Sequence, residues 1–268
     1  MKTLIIIPTY NEMENLPSLL KDIFSYAPTT DILIVDDHSP DGTGDLAEQI
    51  STQDARVHVL HRSGKLGLGT AYIAGFHYAL AHAYEAAFEM DADFSHDPRY
   101  LPDFFQKIEQ ADLVIGSRYI PGGCTPNWSL LRRFISGGGN LFARTVLGLT
   151  VRDCTAGYRC YRRTVLESVA FETIRSQGYG FQVEMAYRVE KQGFKIVEIP
   201  IVFMDRRVGK SKMSHAIFVE GFINVVRARF GRIPPALSQK PLPACSSAEE
   251  KMNMLPVEQN EQAPAGRN

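Results

Sequence analysis

Leu4-Ile5-Ile6-Ile7-Pro8-Thr9-Tyr10-Asn11-Glu12 opens the chain with four apolar residues and then turns polar within one step. A short continuous apolar run fits a strand covered on both faces, as in a parallel sheet. Working outward, the pattern recurs at Ile32-Leu33-Ile34-Val35, Val57 to Leu60, Ala87 to Met90 and Leu113 to Gly116. Between these runs apolar residues take helical spacing: Leu16, Leu19, Leu20, Ile23 and Phe24, then a short helix near 43–51, then an Ala-rich one over 69–83. Strands alternating with helices predict an α/β domain with a mainly parallel sheet, whose ligands sit at the carboxyl ends of the strands. The loops at those ends are chemically marked. They are Pro8 to Glu12, Asp36-Asp37-His38-Ser39-Pro40-Asp41-Gly42-Thr43, Gly64-Lys65-Leu66-Gly67-Leu68-Gly69, Asp91-Ala92-Asp93 and Ser117-Arg118-Tyr119.

The chain has 268 residues, 44% hydrophobic and 22% charged, which excludes collagen-like and wholly disordered classes. No run approaches 18 apolar residues, so no segment reads as membrane-spanning. Leu4 to Ile7 is too short for a signal-peptide core, and a cytosolic location is expected. Cys124, Cys154, Cys160 and Cys245 lack zinc spacing and read as reduced thiols. The net charge of −1 hides an asymmetry. Residues 1–117 hold 7 Lys/Arg against 18 Asp/Glu, residues 118–163 hold 8 Arg against one acid, Asp153, and residues 205–232 hold 7 against 2. Such separation points to an acidic partner for the second half: nucleic acid, a phosphate-bearing ligand or an anionic membrane. A solvated basic face explains it equally well.

Asp91 and Asp93 carry the chemical argument. Two carboxylates one residue apart can share a hard cation, and Mg²⁺ or Mn²⁺ typically takes one or two carboxylates and fills its remaining positions with phosphate oxygens and water. The blander alternative is that the pair ends a strand, with Asp97-Pro98 opening the next helix. No GxxxxGK[ST] occurs and no GxGxxG follows the first strand, so neither a P-loop nor a dinucleotide fingerprint is present. The seven histidines make no zinc pattern, and structural roles are expected for them.

Together Pro8-Thr9-Tyr10-Asn11-Glu12, the acidic second loop and Asp91-Ala92-Asp93 resemble the family 2 glycosyltransferases of the A-type, Rossmann-like fold. Ser39-Pro40-Asp41-Gly42-Thr43, Gly116-Ser117-Arg118-Tyr119, Gly157-Tyr158-Arg159 and Gly209-Lys210-Ser211-Lys212-Met213 narrow the resemblance to dolichol-phosphate and polyprenol-phosphate mannosyltransferases, over about residues 3–232. The resemblance implies inverting transfer of mannose from GDP-mannose to a dolichyl or polyprenyl phosphate, with Mg²⁺ or Mn²⁺. It places Pro8, Tyr10, Glu12, Val35 and Asp37 in the nucleotide pocket, and Asp91, Ala92 and Asp93 at the donor and metal, with Asp93 catalytic. Arg118, Arg206 and Lys212 fall around the diphosphate, with Arg118 also catalytic. Arg118, Arg132 and Ser136 fall at the acceptor phosphate. Ser95 stands where relatives often carry a Gln metal ligand; its shorter hydroxyl suits a water-mediated contact. Lys65 reads as a phosphate contact or a solvated turn, and Asp153 as an ion-pair partner for an Arg or a group near the sugar.

Residues 128–149 and 214–231 are amphipathic, either as core helices or as a membrane-facing surface with Arg at the headgroups. Gly137-Gly138-Gly139 predicts a bend or mobile connection in the first. Residues 233–268 are Pro-rich without periodicity and read as a disordered tail after a single catalytic domain, 1–232. Peripheral attachment to the cytoplasmic face of a membrane, directly or through an anchoring partner subunit, follows as an expectation. Rival readings are a UDP-glucose-dependent polyprenyl-phosphate glucosyltransferase and a non-catalytic membrane- or nucleic-acid-binding protein. Nucleic acid is disfavoured because no nucleic-acid module accompanies the basic residues.

Overall fold

The computed structural model describes residues 1–204, apart from 175 and 177. The expectations for Arg206, Lys212, the helix over 214–231 and the tail from 233 lie outside the described residues. Among the described residues seven strands form one sheet: β1 Thr3–Thr9, β2 Asp31–Asp36, β3 Val57–His61, β4 Ala86–Glu89, β5 Leu113–Ser117, β6 Arg159–Arg162 and β7 Ile196–Pro200. Their order is β3-β2-β1-β4-β6-β5-β7, parallel throughout except for β6, which runs antiparallel to both β4 and β5. The five strands expected from apolar runs are all present. β6 and β7 are additions that the apolar pattern did not predict.

Seven α-helices of the described residues accompany the sheet: α1 Leu16–Tyr26, α2 Thr43–Gln53, α3 Leu68–Ala81, α4 Leu101–Ile108, α5 Leu130–Leu147, α6 Arg163–Ser168 and α7 Gly178–Lys191. The two-residue period of β1 shows why the run at its start had to be apolar throughout. Leu4 and Ile6 join a core with Tyr72 and Phe76 of α3 and Phe181 and Met185 of α7. Ile5 and Ile7 join the opposite core with Leu16, Leu19 and Ile23 of α1 and Leu101, Phe104 and Ile108 of α4. α3 lies so close to β1 that a Cβ at Gly75 would stand within van der Waals exclusion of Ile6 Cγ2, so only glycine fits there.

The chain places β2 and β3 on one side of β1, then crosses to β4 on the other. That reversal opens a crevice between the carboxyl ends of β1 and β4, where ligands bind in such sheets. The two loops bordering it are Pro8 to Glu12 and Met90 to His96. Backbone strain gathers here. Asn11, His38 and Phe94, each in a loop after a strand, hold positive φ of 59°, 56° and 64°.

α5 corrects one expectation. It is an unbroken helix through Gly137, Gly138 and Gly139. Each interior glycine costs about 1 kcal/mol relative to alanine, but the helix is tied at both ends. Ser129 accepts a hydrogen bond from the Arg132 N–H at its start, while Ala143 and Leu147 are buried near its finish and Gly148 closes it with φ 68°.

Candidate active site

The crevice between β1 and β4 is acidic at its base. Asp91 and Asp93 lie on the turn that Phe94 makes in the left-handed region. Ser95 donates its backbone N–H to Asp93 Oδ1 at 3.0 Å, and its side chain is buried in the same turn. Asp91 is held on two sides. The Tyr72 hydroxyl donates to Asp91 Oδ1 at 2.8 Å, and the Asp91 backbone N–H donates to His96 Nδ1 at 2.9 Å. Yet the Asp91 side chain remains 33% exposed. Burial and the neighbouring Asp91 charge push the Tyr72 hydroxyl well up, so it stays a donor at neutral pH. Burial pulls His96 down against the opposing pull of Asp91 and Asp93, so the ring is neutral with its proton on Nε2. His96 thus holds the backbone of the Asp91 turn, a structural role of the kind expected for the histidines.

These residues fit a divalent ion. Among the described residues no group of three or more His, Cys, Asp or Glu forms a closed metal cage. Two hard oxygen donors in a partly open cleft suit a cation that completes its shell with phosphate and water.

On the β2 side, Asp36 and Asp37 divide their work. Asp36 is structural: it accepts from the hydroxyls of Thr9 and Ser39 and from the Ser39 N–H, locking the β1 and β2 loops together. Asp37 faces Arg62, with Nε 3.2 Å from Oδ1. Burial raises its carboxyl against the pull of that guanidinium. Glu12 accepts from Asn15 Nδ2 at 2.8 Å. Lys65 Nζ sits 4.3 Å over the Tyr10 ring, joining the β3 loop to the β1 loop. Pro8 and Val35, at the ends of β1 and β2, are register partners. The structure thus brings Pro8, Tyr10, Glu12, Val35 and Asp37 together along one edge, with Arg62 as a member that sequence reasoning passed over.

The other wall is basic and aromatic. Arg118 follows β5 and is buried. Its Nε and Nη2 donate to the two oxygens of Asp153 at 2.7 Å each, and Nη2 also donates to Thr155 Oγ1 at 2.8 Å. Burial opposes ionisation of Asp153, but the Arg118 charge and hydrogen bonds outweigh it and hold the carboxyl below its usual range. Asp153 is thus the ion-pair partner. The Trp128 indole carries two guanidiniums, Arg132 at 4.1 Å and Arg118 at 5.4 Å from its centroid. One helical turn beyond Arg132, Ser136 receives the Tyr119 hydroxyl at 2.7 Å. Asn140 ties α5 to the same loop through Thr155 at 2.9 Å. Arg118, Arg132 and Ser136 are therefore neighbours, organised by Trp128, Tyr119 and Asn140. Tyr119 closes the Gly116-Ser117-Arg118-Tyr119 motif, whereas Trp128 and Asn140 had no motif to mark them.

The basic run 118–163 is not one positive face. Arg159 is fully buried and donates to the carbonyls of Cys154, Ala156 and Gln182. Arg162 holds the carbonyls of Ile108, Glu109 and Ala111 at the end of α4, and Arg133 holds those of Thr125 and Pro126. Much of the segment's charge serves backbone carbonyls.

The outer face of α5 decides between core and surface. Leu130, Leu131 and Phe134 are 82%, 68% and 79% exposed, with Leu141 beside them. Among the described residues this is an exposed apolar patch on the helix that carries Arg132. Among the described residues no helix is long and apolar enough to cross a membrane.

Fold and site together define a glycosyltransferase of the A-type fold. The chain belongs to glycosyl transferase family 2, whose model matches residues 4–170. The undecaprenyl-phosphate mannosyltransferase of Micrococcus luteus is 51% identical to it, covering 85% of this chain and 93% of the relative. The polyprenol monophosphomannose synthase of Mycolicibacterium smegmatis is 46% identical over 86% and 89%. Among solved structures at 16% identity, glucosyl-3-phosphoglycerate synthase from Mycobacterium tuberculosis, in complex with Mn²⁺, UDP and glucosyl-3-phosphoglycerate, aligns with a TM-score of 0.60 over 85% of this chain and 79% of its own. Mannosyltransferase PcManGT from Pyrobaculum calidifontis, in complex with GDP-Man and Mn²⁺, aligns with a TM-score of 0.55 over 87% and 66%.

Proposed function

We propose that this chain transfers mannose from GDP-mannose to a polyprenyl phosphate, inverting the sugar carbon by a single displacement. The observation that carries the reading is that the carboxyl ends of the mutually parallel strands β4 and β5 bring to one sheet edge the carboxylates of Asp91 and Asp93 and the guanidinium of Arg118, which shares the Trp128 indole with Arg132. The names of the two relatives, each specifying a mannosyl group and a polyprenyl phosphate, support it. GDP as the nucleotide rests on the motif resemblance and on the donor named for PcManGT. The A-type fold alone serves both bases, as the UDP-bound neighbour illustrates.

When bound, Mg²⁺ or Mn²⁺ supplies Lewis acidity to the departing diphosphate. Asp91 and Asp93 would hold it. Tyr10, Glu12 and Asp37 line the nucleotide edge, where Asp37 can accept from base or ribose donors. Arg118 stabilises charge growing on the leaving group, and Asp153 fixes that guanidinium in place. Arg132 and Ser136 hold the lipid phosphate. A phosphate monoester, with its second pKa near about 6, is already anionic at neutral pH. Its oxygen attacks the sugar carbon as the bond to the diphosphate breaks, and no general base is required. Leu130, Leu131 and Phe134 rest in the lipid boundary at the cytoplasmic face of the membrane, bringing Arg132 to headgroup depth. The catalytic domain extends over residues 1–232.

A radiolabelled transfer assay tests this. With polyprenyl phosphate, GDP-mannose gives labelled lipid, EDTA abolishes it and Mn²⁺ restores it. Preferential transfer from UDP-glucose would replace the donor assignment.

A further inference from the structure

We propose that Tyr72 and His96 are positioning residues that set Asp91 for the divalent ion, an inference that rests on the metal reading above. Neither residue belongs to the motifs that mark the site. Tyr72 comes from α3, on the far side of the β1–β4 seam, and is wholly buried. Its ring stacks on Phe181 of α7 with centroids 6.4 Å apart, so packing aims the hydroxyl. That hydroxyl takes Asp91 Oδ1 and leaves the other oxygen to the cleft.

His96 acts on the backbone. Its Nδ1 accepts the Asp91 N–H at 2.9 Å, closing the loop from Asp91 to His96 on itself. Its Nε2 stands 3.9 Å from Asp91 Oδ2, beyond a hydrogen bond, so the ring holds the main chain while leaving that oxygen unclaimed. The ring stacks on Tyr158 with centroids 4.9 Å apart and planes 12° apart. Gly157 makes room for it, since a Cβ there would lie 3.3 Å from His96 Cε1. One partner thus fixes the Asp91 side chain and the other its backbone, each rigidly packed. Outer partners of this kind change metal affinity by about 10–100-fold when removed.

The experiment titrates Mn²⁺ into the full chain at fixed GDP, reading free Mn²⁺ by electron paramagnetic resonance, with thermal melts to confirm folding. Tyr72→Phe keeps the stacked ring and is expected to weaken Mn²⁺ by about 10–100-fold, with the Mn²⁺ concentration needed for half-maximal transfer rising in step. His96→Asn places an amide oxygen where Nδ1 accepts and is expected to bind Mn²⁺ nearly as wild type. His96→Gln, with its amide further out, is expected to lose affinity like Tyr72→Phe. Unchanged Mn²⁺ affinity in Tyr72→Phe, or equal affinities in the two His96 variants, overturns the corresponding half of the proposal and leaves the metal reading standing. A wild-type chain that binds no Mn²⁺ with GDP or with UDP overturns both.

Discussion

The loops after β1, β2 and β4 and the unit running from Arg118 into α5 are both densely charged, yet they use charge in opposite ways. The acidic loops hold themselves with neutral donors. Thr9, Ser39 and backbone N–H groups occupy Asp36, and Tyr72 and Ser95 each take one oxygen of Asp91 and Asp93. Asp36 and Asp91 are oriented there by neutral donors, while Asp37 faces the Arg62 guanidinium. On the basic wall Arg118 is held in an ion pair with Asp153, and Arg159 and Arg162 direct their donors to carbonyls. The first wall is built to receive a cation, and the second is built to stay rigid while presenting a few guanidiniums. Net charge along the sequence registers neither distinction.

The comparison can be broken at four points. Asp153→Asn strands the buried Arg118 charge and is expected to cost about 3–5 kcal/mol, read by denaturant unfolding. Because the Asp153 carboxyl lies below its unfolded value, its contribution is complete above about pH 4 and is lost as pH falls through the folded pKa. The gap between wild type and variant should therefore narrow in acid; a gap that is constant with pH would mean the pair does not contribute by charge. Asp93→Asn leaves the fold intact and is expected to lower turnover by about 10²–10³-fold and to flatten the Mn²⁺ response. Full turnover with unchanged metal dependence would remove Asp93 from the acidic wall's function.

Arg132→Ala is expected to raise KM for a short-chain polyprenyl phosphate in detergent by about 10–100-fold, with KM for the donor unchanged. A donor effect instead would merge the two walls into one site. The smallest effect belongs to the apolar rim. Phe134→Ser should weaken co-sedimentation with acidic liposomes by on the order of 1 kcal/mol, because insertion is partial. Unaltered binding would leave the patch without a role in lipid contact.

The strands from β1 to β5 were legible because each is a run of apolar residues ending in a polar loop. β6 was not, because it reads Arg-Cys-Tyr-Arg: Arg159 looks like a surface residue, and only its buried carbonyl partners make it a central-strand residue. The helix of α5 was legible from its spacing. Its continuity through three glycines was not, since propensity cannot see the cap at Ser129 or the packing of Ala143 and Leu147. Within the site, Asp91, Asp93 and Arg118 were marked by motif, and Arg132 by the family resemblance. Tyr72, His96 and Trp128 were not, because each sits among apolar or turn residues, and only tertiary contact reveals its target. Asp36 and Asp37 are adjacent and chemically alike, and burial and partners alone separate the strut from the pocket residue.

Crystals soaked with GDP and Mn²⁺ and measured at the manganese absorption edge provide the most direct test. One anomalous peak is expected within ligand distance, about 2.0–2.3 Å, of a carboxylate oxygen of Asp91 or Asp93 and of the diphosphate oxygens. A nucleotide bound in the crevice with no metal peak at those carboxylates would contradict it.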